Sequence, residues 1–226
     1  MHLRLPTALA VLVSIILAAS SIAMAASFSE DFTKPAGTNG APAGWTFSDT
    51  GFTLTSGVLS ANPPENKIFA EWTAVPIGKV LTVTAKVTAG ETTTDNWKVA
   101  GIGVLADEDH YWHLALVEGP DADGKKHSAE IVQQKDGNWG GTDPSYAKLT
   151  FTTPTGGFDW KPGVTYDFKI VLTPSQLDGT ISEAGVVKFE QIAQFTGPAV
   201  TAGRPMLDAG GLKARFSAVT AVTGTN

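Results

Sequence analysis

Cysteine is absent from all 226 residues. That excludes disulfides, thiolate nucleophiles, cysteine-ligated zinc and a lipid-modified N-terminal cysteine. Cations are in short supply. Lys and Arg number 16 against 22 Asp and Glu, for a net charge of −6. Such a balance argues against a nucleic-acid backbone as partner, because binders of that polymer carry a basic face. A Gly-x-Ser-x-Gly nucleophile elbow, a phosphate-cradling glycine loop and a dinucleotide fingerprint are all missing. No amphipathic helix is discernible. A second apolar run long enough to span a membrane does not follow the first, so no membrane span is expected in the body of the chain.

The one long apolar run is N-terminal. Arg4 precedes it, Leu9 to Ala19 carries it, and Ala23-Met24-Ala25 follows. A basic start, a short apolar centre and a small-x-small site describe a signal peptide cut after Ala25. The run is shorter than the roughly 20 residues a spanning helix needs. Cleavage removes one cation, Arg4, and no acid, taking the net charge from −6 to −7. Export without cysteine suits a bacterial periplasm or exterior, so the protein is expected to be secreted or periplasmic. Residues 26–226 then form a single domain.

What fills that domain is alternation. Val80 to Thr88 reads VLTVTAKVT, and Val164 to Leu172 repeats the scheme with Val164, Tyr166, Phe168, Ile170 and Leu172 on one side. A period of two, rich in β-branched and aromatic residues, marks half-buried strands. Further strands are expected at 28–32, 45–48, 52–60, 67–73, 97–105, 111–118, 127–135, 148–152, 175–183, 186–190, 203–208 and 213–221. Turn signals separate them, among them Asp136-Gly137, Pro162-Gly163 and Gly210-Gly211. Many short strands without helices mean an all-β sandwich or barrel.

Several segments resemble a known architecture. They are Phe28-Ser29-Glu30-Asp31-Phe32, Pro42-Ala43-Gly44-Trp45, Ser56-Gly57-Val58-Leu59, Ala100-Gly101-Ile102-Gly103-Val104, Tyr111-Trp112-His113-Leu114, Trp160-Lys161-Pro162-Gly163 and Ala214-Arg215-Phe216. In that order they are similar to concanavalin A-like lectin/glucanase domains, including laminin-G-like domains. The resemblance implies a two-sheet antiparallel jelly-roll sandwich and a sugar-related role. It does not fix the role, since this fold hosts lectins, glycosidases, lyases and adhesive modules.

The strands at 97–105, 111–118 and 127–135 form a meander with one apolar face. Its other face carries Trp97, Tyr111, His113 and Glu130 around the small residues Gly101, Gly103 and Ala115. The simplest register sets Gly101 opposite Ala115 and Ala115 opposite Glu130, with His113 and Glu130 diagonal. Flat rings beside directed polar groups are what a sugar groove requires. Trp139, next to the Asp136-Gly137 turn, either folds back or binds. The candidate carbohydrate-binding residues are therefore Trp97, Tyr111, His113, Glu130 and Trp139, unless other strands cover that face. Trp45, Trp72 and Trp160 are assigned to packing.

Catalytic residues are not assigned. His113 and Glu130 are of types that do acid–base work. Yet the Glu-x-Asp-x-x-Glu strand motif of the related glucanases is missing, and Glu130 is followed on its own face by Val132 and Gln134. No cofactor is expected apart from a structural calcium, for which Glu30, Asp31 and Asp208 are the available acids. Asp121-x-Asp123-Gly124 begins like a calcium loop, but Val132 stands where the bidentate Glu belongs. Asp107 to His110 reads as a solvated hairpin tip. The reading is a secreted module binding a poly- or oligosaccharide. A polysaccharide-degrading hydrolase or lyase, and an adhesive module without a sugar site, stay open beside it.

Overall fold

A computed structural model describes residues 25–34, 37, 40–63, 67–92, 96–123, 127–139, 148–151, 158–197 and 199–224. The expected leader, apart from Ala25, lies outside the described residues. Among the described residues sixteen strands follow one another: β1 (Ala26–Glu30), β2 (Thr46–Phe47), β3 (Phe52–Thr55), β4 (Val58–Ala61), β5 (Ile68–Glu71), β6 (Leu81–Thr92), β7 (Lys98–Asp107), β8 (His110–Glu118), β9 (His127–Lys135), β10 (Asn138–Trp139), β11 (Lys148–Phe151), β12 (Thr165–Leu172), β13 (Gln176–Glu183), β14 (Val186–Gln194), β15 (Arg204–Gly210) and β16 (Leu212–Thr223). The described residues contain no α-helix, only a 3-10 turn at Asp121–Asp123. No helix among them is long and apolar enough to cross a membrane.

The strands form a jelly-roll sandwich of two antiparallel sheets. The first sheet runs β11-β14-β13-β12-β6-β16-β4-β3. β16 gives one edge to β6 and shares the other, pairing β4 through residues 214–216 and β1 through residues 219–223. Between those stretches it bulges, with Ala218 at a φ of 49°. The second sheet runs β10-β9-β8-β7-β15-β5-β2. Alternation decides what lies between the sheets. Leu81, Val83, Ala85, Val87 and Ala89 of β6 face Ala100, Ile102 and Val104 of β7 and Trp112, Leu114 and Leu116 of β8 in one buried cluster. Each large aliphatic side chain so enclosed contributes about 1.5–3 kcal/mol relative to exposure. Trp45, Trp72 and Trp160 belong to the same cluster, as packing residues.

One charged group enters the interior at the end of the sandwich. The register aligns Lys98, Glu118 and His127 in a row. Lys98 Nζ donates to Glu118 Oε1 at 3.0 Å, and His127 Nε2 lies 3.2 Å from Glu118 Oε2. The imidazole stacks on Trp160 at 4.0 Å between ring centroids. The even positions of β7 point inward, and Lys98 shares their parity, so its burial requires this pairing.

Two hairpin tips are tied together beside the second sheet's outer face. Asp136 and Gly137 join β9 to β10 with φ values of 52° and 72°. Two successive positive φ angles define the tight two-residue turn that an Asp-Gly pair favours. His110 Nδ1 lies 2.7 Å from Asp107 Oδ1, and Nε2 lies 3.1 Å from Asp136 Oδ1. Those two hydrogen bonds to carboxylates raise the His110 pKa above its ordinary value. When protonated, the ring donates from both nitrogens, and in bridging Asp107 and Asp136 it braces the β7–β8 turn against the hairpin that carries Trp139. The expected solvated tip is thus also a clamp.

Candidate functional site

The outer face of the second sheet is built in rows. Glu130, Ala115, Gly101, Asp208 and Phe69 lie side by side across β9, β8, β7, β15 and β5. The next row holds Val132, His113, Gly103, Met206 and Glu71. The third holds Trp139, Gln134, Tyr111, Leu105 and Arg204. The register read from sequence, Gly101 opposite Ala115 opposite Glu130, is the one formed. Gly101 and Gly103 have no room for a side chain, because a Cβ would strike the carbonyls of Leu114 and Trp112 in β8.

Tyr111 and His113 are not the open walls that alternation within the meander suggests. β15 and β5 extend the sheet and bring Phe69, Met206 and Asp208 onto the same face, where Phe69, Leu105, Tyr111 and Met206 form a second apolar cluster. Lys67, just before β5, reaches across it. Its ammonium donates to the Tyr111 hydroxyl, which in turn donates to Gln134 Oε1. It lies 4.5 Å from the centre of the Tyr111 ring and 3.7 Å from the centre of the Trp139 ring. Tyr111 and His113 therefore form a floor beneath Lys67 and Trp139.

Under that floor the charges are paired. His113 Nδ1 lies 2.9 Å from Asp208 Oδ2, with both side chains fully buried. On the other side of the ring, Nε2 faces Glu130 Oε1 at 3.3 Å, outside hydrogen-bonding alignment. Lys67 Nζ stands 3.8 Å from Asp208 Oδ2. Burial and the Lys67 charge pull the His113 pKa down, but Asp208 and Glu130 outweigh them and hold it above its usual value. Burial alone would raise the Asp208 carboxyl. The charges of His113 and Lys67 hold it below the usual carboxylate range instead. Burial lowers Lys67 to about 8, against the opposing pull of Asp208 and Glu130. Burial, with Asp208, Asp109 and Glu130, pushes the Tyr111 phenol up, so it stays protonated.

Members of this cluster that meet solvent include Trp139 at 53% exposure and the side chains of Glu130 at 37% and Lys67 at 14%. A flat ring, an acceptor and a donor are thus presented together. Trp139 also lies 5.2 Å from the His113 ring and 6.1 Å from Tyr111, the latter edge-on. On the far side of Phe69 the face continues into an open cavity of about 320 Å³, bordered by Ser48, Glu71, Asp107 and Arg204. There Arg204 is paired to Glu71 at 3.0 Å and donates to the Val75 carbonyl.

Of the five candidate residues, Tyr111, His113, Glu130 and Trp139 converge. Trp97 does not. It is 65% exposed and stands eight residues along the strand from Leu105, the partner of Tyr111. At about 3.3 Å per residue that is roughly 26 Å away. Lys67, Phe69 and Asp208 complete the cluster and were not assigned to it from sequence. The acids proposed for calcium also go separate ways. Glu30 accepts from the Phe32 amide and Asp31 from Thr33, both at the end of β1, while Asp208 sits in the other sheet on His113. Among the described residues no group of three or more His, Asp or Glu is placed to hold a metal. Asp121 belongs to the 3-10 turn, and Gly124 lies outside the described residues.

The architecture recurs in solved structures. The chain superposes on the GH43 protein BlXynB of Bacillus licheniformis with a TM-score of 0.58 at 11% identity, over 87% of this chain and 39% of that one. It superposes on the carbohydrate binding module CBM66 of Bacillus subtilis with 0.54 at 10% identity, over 78% and 93%. For the CBM2 module of the evolved Dit protein of Lactobacillus casei BL23 phage J-1 the score is 0.58 at 11% identity, over 88% and 96%. The chain thus spans about 39% of BlXynB but nearly the whole of each binding module. At these identities the likeness is one of fold. No family model matches the chain, and no curated protein matches it in sequence.

Proposed function

We propose that this is a secreted or periplasmic bacterial carbohydrate-binding module of concanavalin A-like type, taking a poly- or oligosaccharide on the outer face of the second sheet. The observation that carries the proposal is Trp139: a half-exposed indole with Lys67 on its face, packed against the same His113 ring that the part-exposed Glu130 faces. Aromatic rings stack on the CH-rich faces of sugars, and a few directed polar groups then orient the hydroxyls. The outer face of the first sheet makes the contrast. It carries threonine pairs such as Thr84–Thr220 and Thr88–Thr165 and the exposed Lys86–Asp167 ion pair. The solved neighbours named as carbohydrate-binding modules give the reading further support.

Trp139 and Glu130 contact the sugar, with Lys67 at their edge. Tyr111 and His113 hold them in place from below. Trp97 has no part in this face. A hydrolase or lyase reading has less support, because the His113–Asp208 pair is sealed and Glu130 covers its remaining nitrogen. A glycan array, run with and without EDTA and followed by reducing-sugar release on the hits, tests the reading. Binding lost in Trp139→Ala, with no sugar released, is the expected result. Sugar release would replace it with the degrading enzyme, and no binding at all with the adhesive module.

A further inference from the structure

The first sheet carries a second site on its own outer face, at the end of β4, β16 and β6. Here the register sets Ser60, Arg215 and Thr88 in one row. The adjoining positions are Asn62, Lys213 and Gly90, and Gly163 is tied to Ala89 by its backbone amide. Glycine at 90 and 163 leaves a notch beside the two long cations, an open cavity of about 450 Å³. A Cβ at Gly90 would lie in contact with Lys213, 3.4 Å from its Cβ. The bulge between Leu212 and Ala214 falls at Lys213.

The chain is acidic, and many of its described cations stand against carboxylates: Lys67 with Asp208, Lys86 with Asp167, Lys98 with Glu118, Lys161 with Asp159, Lys188 with Glu183 and Arg204 with Glu71. Lys213 and Arg215 lie two residues apart on one face of β16, and among the described residues neither has an ion pair or hydrogen bond. No described carboxylate lines the cavity. What does line it is donors: an ammonium, a guanidinium fork, the Asn62 amide and the Ser60 hydroxyl. Two like charges side by side repel unless an anion lies between them, and a fork beside an ammonium matches an oxyanion.

We infer that Lys213 and Arg215 form a binding site for the carboxylate of an acidic polysaccharide, such as a uronate, on the sheet opposite Trp139. The cavity takes one sugar unit, Arg215 grips the carboxylate through two parallel N–H bonds, and Lys213 supplies the second charge. The site goes beyond the sugar face proposed above and does not depend on it.

Calorimetric titration of the intact protein at low ionic strength tests this, using trigalacturonate, uncharged xylotriose and inorganic sulfate as probes. Both positions are exposed, so Lys213→Gln/Arg215→Gln should melt with the wild type. The expected result is trigalacturonate binding that weakens about tenfold or more in that double variant, weakens with added salt and is unchanged in Trp139→Ala. Sulfate bound with the same loss would uphold the oxyanion site and make a free anion its ligand. Failure of both anions to bind, or equal binding by the double variant, overturns the inference. So does a loss of trigalacturonate binding in Trp139→Ala alone, which would move the ligand to the second sheet and leave that sugar face standing.

Discussion

His113 and Asp208 meet at 2.9 Å inside the second sheet's outer face, although they stand 95 positions apart in the chain, and both side chains are fully buried. Neither charge is sustainable there alone. Removing one partner of a buried pair leaves the other uncompensated, at a cost of about 3–5 kcal/mol.

Asp208→Asn should therefore lower stability by about that amount, in a pH-dependent way. The folded His113 pKa is raised, so its contribution is complete below the unfolded value of 6.5 and is lost as pH rises through the folded pKa. The folded Asp208 pKa is depressed, so its contribution is present above 3.8 and is lost as pH falls through the folded pKa. Both contribute fully between about pH 4 and 6.5. Urea unfolding of wild type and variant across pH should show the largest gap in that window and a smaller one above it. A gap no larger in that window than at the extremes of pH would contradict the charged pairing.

Lys67 runs the other way. Its folded pKa of about 8 lies below the ordinary 10.5, so the unfolded chain holds the extra proton between those values. Stability should rise across that interval, by about 3 kcal/mol before other groups intervene. Lys67→Met, whose stem can still lie on Trp139, should remove the rise. In a titration of the lysine Cε resonances, one lysine should turn over near pH 8, and it should be missing from the variant.

The aromatic residues should separate cleanly. Trp139→Ala is expected to weaken glycan binding by about 1–3 kcal/mol with little change in melting temperature. Tyr111→Ala empties a buried site and should destabilise the fold by about 3–5 kcal/mol. Trp97→Ala should change neither. Calorimetry and thermal melts on the same three proteins decide the matter. A stable Tyr111→Ala with impaired binding would restore Tyr111 as an open wall.

Lys98 offers a test of the interior pair. Lys98→Met leaves Glu118 buried with His127 as its remaining partner, and should cost about 3 kcal/mol or more. Adding Glu118→Leu should recover much of that, because buried ion pairs are often replaceable by apolar residues of similar size. Chemical denaturation of the single and double variants measures it. A double variant less stable than the single would show that Glu118 serves His127 more than Lys98.

How far the sequence reveals this site depends on distance along the chain. β7, β8 and β9 are neighbours in sequence, so alternation and short turns place Gly101, Ala115 and Glu130 in one row. The Asp136-Gly137 turn likewise delivers Trp139 to that face. β5 and β15 join from far away, and no local pattern says that Asp208 will stand beside Gly101 or that Lys67 will arch over Tyr111. That is why Tyr111 and His113 read as surface. One signal was present: Asp208 is the lone acid in an apolar strand, between Leu207 and Ala209, and a buried acid demands a cation or an imidazole. The distance between Trp97, just before β7, and Tyr111 in β8 was also legible, since parity fixes a shared face but not a shared place on it.

The position of β16 in the first sheet bears on when the protein can fold. This last strand is an interior one, holding β6 on one edge and β4 and β1 on the other. Residues 26–30 wait for residues 219–223, so the first strand finds its partner only after all the strands between them have been made. Pairings so distant close slowly. A growing chain of this design holds β6, β4 and β1 with open edges throughout synthesis. It remains threadable until β16 has been made, the condition a polypeptide must keep if it is to cross a membrane before it folds.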